Sequence, residues 1–116
     1  MRFTMIAGIA SALVVACGDG SELRAATVVV FKSLGSLQCT GGGTTLSALE
    51  GQLMAAGIQV LAAMCGNDGM VRAAVCGAPD GAIAIFEVPA SQQSSAEMLS
   101  FAPLSTAPAA VITPCR

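Results

Sequence analysis

The chain has no histidine, no tryptophan and no tyrosine, and only 10% of its 116 residues are charged. Without histidine the commonest general base is missing, and so are most zinc and copper ligand sets. The carboxylates Glu50, Asp68, Asp80, Glu87 and Glu97 are scattered, with no spaced pair suited to acid/base work. The single lysine, Lys32, adjoins Ser33, but neighbours on a strand point to opposite faces, which argues against a serine–lysine dyad. No catalytic, metal or cofactor site is therefore expected. Basic residues are also scarce, five against seven acidic ones. That balance argues against nucleic acid as a partner and against electrostatic attachment to anionic lipid.

What the chain does have is apolar content, 54% of residues with a mean hydropathy of +0.76. Part of this lies in a leader. Arg2 is followed by an apolar run over residues 5–15, too short to span a bilayer by itself. Val14, Val15, Ala16 and Cys17 close that run. This stretch resembles the lipobox of bacterial lipoprotein precursors, a resemblance confined to residues 1–17. It implies that Cys17 is lipidated and becomes the first residue of the mature protein. Cleavage after the same Ala16 without lipidation is the alternative. Gly18 rather than aspartate follows the cysteine, so the family's inner-membrane retention signal is absent. The destination implied is the cell envelope, at the periplasmic face of the outer membrane in a Gram-negative host. Removing Arg2 leaves four basic and seven acidic residues, a net charge of 4 − 7 = −3.

The expected organisation is a signal peptide over 1–16, a tether over 17–26 and one domain over 27–116. The domain is built around residues 27–65. TVVVF at 27–31 is an unalternating β-branched run, as in a strand covered on both faces. Gly41, Gly42 and Gly43 interrupt it. Thr44 or Thr45 can cap a helix whose stripe is Leu46, Leu49, Leu53 and Ala56, and Gly57 suits its left-handed end. A second strand is expected over 58–64, parallel to the first. Asp68-Gly69 and Asp80-Gly81 read as turns of two hairpins, leading to strands over 70–75 and 82–88. In that register Arg72 lies opposite Glu87. A second helix follows over 91–100 with Ser94 and Glu97 as a capping box, and then a short edge strand over 109–113. The fold class expected is α+β: a βαβββα domain with a mixed four-stranded sheet in the order 1-2-3-4 and two helices on one face. The other face needs a cover, whether the tail, a second copy or a partner.

With Cys17 set aside, Cys39, Cys65, Cys76 and Cys115 remain, and four thiols in an exported domain most often form two disulfides. Three pairings are possible. Cys39 and Cys65 fall at one edge of the expected parallel pair and Cys76 at the other, so Cys39–Cys65 and Cys76–Cys115 are expected. A competing possibility is redox chemistry. Strand, loop cysteine, helix and parallel strand resemble the first half of a thioredoxin or glutaredoxin fold, which implies a reactive Cys39. Ser36 stands where the partner thiol should be, and the link 66–69 is too short for that fold's next helix. The loop from Thr40 to Thr44 can also be read as an anion cradle at a helix start, but it lacks the P-loop lysine. A loop that needs glycine to turn is the simpler reading.

These features give a small lipid-anchored envelope protein, a non-enzymatic binding or structural module. Its partners would be the membrane through Cys17 and an envelope protein or a second copy of itself. The alternatives are a periplasmic thiol-redox protein using Cys39 and a secreted protein without an anchor.

Overall fold

The computed structural model describes residues 26–115. The expected signal peptide, the lipidated Cys17 and nearly all of the tether lie outside the described residues. The order of elements is β1 (Thr27–Ser33), α1 (Leu46–Ala55), β2 (Ala62–Asn67), β3 (Ala82–Pro89), α2 (Gln93–Met98), β4 (Ala102–Pro103) and β5 (Val111–Ile112), with single 3-10 turns at Ala90–Gln92 and Leu104–Thr106. This is an α+β fold with two helices and two disulfides.

The sheet has five strands in the order β4-β1-β3-β2-β5, and every neighbouring pair is antiparallel. That corrects the mixed four-stranded sheet in the order 1-2-3-4. β1 and β2 do run in the same direction, since both oppose β3, but β3 lies between them as in a split βαβ unit. The reason is burial. Ile83, Ala84, Ile85, Phe86 and Val88 are each exposed by 1% or less, so β3 is the strand with most to lose at an edge. The expected strand over 70–75 does not form: β3 has β1 and β2 on its two sides, and β2's outer edge pairs with β5 at Gly66 and Asn67. One strand fewer removes the hairpin that would have set Arg72 opposite Glu87. Arg72 instead pairs with Asp68, and Glu87 accepts from the Thr27 hydroxyl at 2.7 Å.

Both helices pack on one face. Val30, Ala84, Phe86 and Val88 from the sheet meet Leu49 and Leu53 of α1, Ile58, Ala96 of α2 and Phe101 in one core. The Thr45 hydroxyl caps α1 by accepting from Ala48 N–H at 3.0 Å. At its other end Gly57 takes φ 80°, and Ile58 N–H reaches back to Leu53 O. α2 starts at Gln93 without a side-chain cap, so the expected Ser94–Glu97 capping box is absent. Glu97 accepts from Gln93 Nε2 instead.

The second face is covered by the chain's own tail. β4 lies outside β1 and β5 outside β2, so residues 104–110 must cross the sheet, and the helices occupy the first face. Leu104, Ala107 and Ala110 are half-buried along this strap, while Ile83 and Ile85 beneath are buried. A Cβ on Gly66 would come within 2.6 Å of both Ile85 Cδ1 and the carbonyl oxygen of Val111.

Candidate binding site

At the end of the sheet where β1 finishes and β3 begins, two long loops, residues 34–45 and 68–81, fold together into a lobe. The lobe buries little apolar surface. Its first brace is a disulfide, Cys39–Cys76, with Cα atoms 5.1 Å apart. The second is Gln38. Its side-chain amide donates to Ala73 O at 3.0 Å and to Pro79 O at 3.2 Å, and its oxygen accepts from Val75 N–H at 3.0 Å. Its backbone adds bonds to Ala78 and Gly77. The third is Ser36, whose buried hydroxyl donates to Asp80 Oδ1 at 2.8 Å, an oxygen that also accepts from Ala82 N–H.

Asp68 closes the lobe against the sheet. Its N–H donates to Gly81 O, and its carboxylate takes a two-point ion pair from Arg72 at 2.8 and 2.7 Å. The Arg72 guanidinium lies so close over Gly81 that a Cβ there would be 2.7 Å from Nη1. The hydrogen bond from Arg72 holds the Asp68 carboxyl below its ordinary pKa, partial burial opposes the shift, and the Met70 N–H adds to it. Asp68 and Asp80 each accept from the N–H two residues on, that of Met70 and that of Ala82, but neither Asp-Gly pair closes the expected hairpin, and both lie in one lobe.

The cysteine pairing differs from the expected one. Cys39 joins Cys76, and Cys65 joins Cys115. With β3 inserted, the ends of β1 and β2 are two strand spacings apart, roughly 9.5 Å, beyond what one disulfide spans. Cys39 turns toward the second loop instead, at φ 73°. It sits in a tight turn closed by Leu37 and Gly41, six residues before the capping Thr45.

Gly41, Gly42 and Gly43 all take positive φ, and a Cβ on Gly43 would collide with the carbonyl oxygen of Leu34. The glycines are there to make the turn. Beside them a cavity of about 680 Å³ opens between the start of α1 and the Cys65–Cys115 bridge, with Glu50 the only charged lining residue among those described. That carboxylate is unsuited to an anion. Lys32 faces the helices, donating to Leu99 O at 2.9 Å with its Nζ 5.0 Å from the Phe101 ring centroid, while Ser33 accepts from Gly35 N–H. They form no dyad. Among the described residues no three His, Cys, Asp or Glu side chains are grouped to hold a metal, and no helix is long and apolar enough to cross a membrane.

No family model, curated protein or solved structure matches the chain.

The lobe's outer surface is apolar. Met70 is 64% exposed, Val75 55% and Val71 fully exposed at 101%, with Leu37 at its rim. Sequence reasoning missed this surface because it placed Met70 and Val75 in a strand. The composition is strand-like, but both sides of β3, the partner expected for it, are taken by β1 and β2.

Proposed function

We propose that this chain is a lipid-anchored, non-enzymatic protein of the cell envelope that binds another envelope component through the loop lobe. The observation that carries the reading is the conjunction of exposed apolar side chains at Met70, Val71 and Val75 with a backbone braced by a disulfide and by Gln38. An isolated exposed valine needs no explanation. Three on one rigid loop, where folding gains nothing from them, suit a surface made for contact. The Val14–Cys17 lipobox supplies the anchor, and two disulfides suit an oxidising compartment.

The test has two parts. Protein purified from native membranes and alkylated without reduction should have the mass of a chain starting at acylated Cys17, with no alkylated thiol. An unacylated chain would replace the anchored reading with the secreted one. Photo-crosslinking in the intact envelope should give one adduct from position 71 and none from Met98, an apolar residue on α2 that is 86% exposed. Adducts from both positions, or from neither, would defeat the lobe as binding surface.

The thiol-redox alternative draws on one feature, the exposure of both Cys39 and Cys76. It requires that this bridge be reduced selectively by a mild dithiol while Cys65–Cys115 stays intact and the sheet stays folded.

A further inference from the structure

Residues 68–75 run without a turn or a bend, and each of residues 69–75 is exposed. Among the described residues, the backbone N–H and C=O groups of Val71, Arg72 and Ala74 make no hydrogen bond within the protein. Extended backbone left unpaired in this way is normally mobile, but here it is clamped on both sides. The Asp68 carboxylate accepts from Met70 N–H at 2.9 Å and from the Arg72 guanidinium, fixing the residues before and after Val71. Gln38 holds Ala73 O and Val75 N–H, and Cys76 is tied to Cys39. Val71 stands between the clamps with its side chain wholly in solvent.

An extended strand offering free N–H and C=O groups is the form in which an endopeptidase cleft takes a peptide, through main-chain bonds plus pockets for alternate side chains. Rigidity in the bound form is what separates an inhibitor from a substrate. A second requirement is that a cut should release nothing, and the covalent map meets it. Cys39 and Cys65 precede the Val71–Arg72 peptide bond, while Cys76 and Cys115 follow it, so both disulfides span that bond. β2 before it and β3 after it are also paired with each other. Hydrolysis would place OH from water on the Val71 carbonyl carbon and H on the Arg72 nitrogen. The new carboxylate and amine would stay side by side, and resynthesis of the bond would compete with dissociation.

We infer that residues 69–76 are an inhibitory binding loop for a serine endopeptidase with a small apolar specificity pocket, and that Val71 is the side chain the pocket receives. This deepens the proposed function and rests on the lobe being the binding surface. Arg72 does not fill that role, because both of its terminal nitrogens are held by Asp68. A pocket with an acidic base, as in trypsin, therefore has nothing to take, whereas the small pocket of an elastase suits valine.

The experiment titrates the purified, disulfide-intact protein against an elastase, with trypsin as counter-probe. The expected result is stoichiometric inhibition of the elastase, with Kd about 10⁻⁷ M or tighter, and none of trypsin. On long incubation a species heavier by one water should appear, separating into two fragments only after reduction. Val71→Asp should weaken elastase inhibition by about 30-fold or more, the loss of a central contact, and Val71→Lys should move inhibition to trypsin. Gln38→Ala, which keeps the contact residue and loosens its support, should convert the protein into a substrate cut faster than the parent chain. Rapid cleavage of the parent without inhibition would overturn the inference. So would a parent that leaves elastase untouched together with a Val71→Lys variant that leaves trypsin untouched. If inhibition fails while the crosslink from position 71 persists, only the partner class is wrong; if both fail, the binding lobe is wrong as well.

Discussion

Between the sheet and its helices, Phe86, Phe101, Leu49, Leu53 and Val30 are buried to 2% exposure or less, and order there follows from removing apolar surface from water. In the loop lobe the balance is reversed. Met70, Val71 and Val75 are in solvent, and order comes from one disulfide, the Gln38 side chain, the Ser36–Asp80 bond and the Asp68–Arg72 pair. A core held by burial yields only when the whole domain unfolds. A lobe held by a few polar and covalent ties can be loosened one tie at a time. The lesson is that the rigid part and the presenting part of this molecule obey different rules, and substitutions should separate them.

The largest effect is expected in the core. Phe86→Ala should cost about 3–5 kcal/mol, because the ring is fully buried and packs edge-on against Phe101 at 5.8 Å between centroids. Val71→Ala should change stability by less than about 0.5 kcal/mol. Urea unfolding of the two variants with both disulfides intact measures the contrast. Equal losses would mean that Val71 is part of the packed structure and that the division drawn here is false.

Next come the bridges. Replacing either cysteine pair by serine should cost about 2–4 kcal/mol. The spans of 37 and 50 residues differ too little for chain entropy to rank them, by only ~0.3 kcal/mol. Global unfolding will therefore not tell the two apart, but hydrogen exchange will. Without Cys39–Cys76, the amides of Gln38, Val75 and Gly77 should exchange far faster while those of β3 keep their protection. Without Cys65–Cys115, the change should fall on Thr113, whose N–H bonds to Cys65 O, and on β5. Uniform acceleration in either variant would show that lobe and sheet are one cooperative unit.

The same division explains what could be read in advance. β1, the Thr45 cap, the Leu49 and Leu53 stripe and the glycine at the end of α1 are local patterns of spacing and capping, and the residues that make them are adjacent in sequence. Strand order is not local. Residues 70–75 have strand composition, but β3, their expected partner, is flanked by β1 and β2 instead. Counting them as a strand reversed the direction of everything after them and with it the cysteine pairing. Gln38 carried no signal at all, since a glutamine in a loop acquires its role only when Ala73, Val75 and Pro79 are brought beside it.

A smaller effect should appear at the end of α2. Ser100 takes φ 72°, and the bonds Ser100 N–H to Glu97 O and Phe101 N–H to Ala96 O complete the same closing motif that Gly57 makes for α1. Ser100→Gly should therefore stabilise the protein by about 0.5–1 kcal/mol, provided relief of the left-handed strain outweighs the added chain entropy of glycine. Thermal unfolding reads the sign. A destabilised variant would mean that the backbone there is held by something other than the helix end.

The smallest expected effect concerns acid. Arg72 holds the Asp68 carboxyl below its ordinary pKa. A carboxyl lowered on folding contributes stability that is fully present above the unfolded value, near 3.9, and is lost as pH falls through the folded one. The pair lies at the surface, its side chains 29% and 18% exposed, so solvent screens it and the loss in global stability should be slight. Its local consequence is larger, because the same carboxylate holds Met70 N–H. As Asp68 is protonated, the amide signal of Met70 should shift and its exchange quicken, while the amides of Val30 and Phe86 stay unchanged. Arg72→Gln should raise the midpoint of that transition, and Asp68→Asn should abolish it. A midpoint unmoved by Arg72→Gln would detach the arginine from the clamp, and would remove the reason for setting Arg72 aside as the side chain a protease pocket receives.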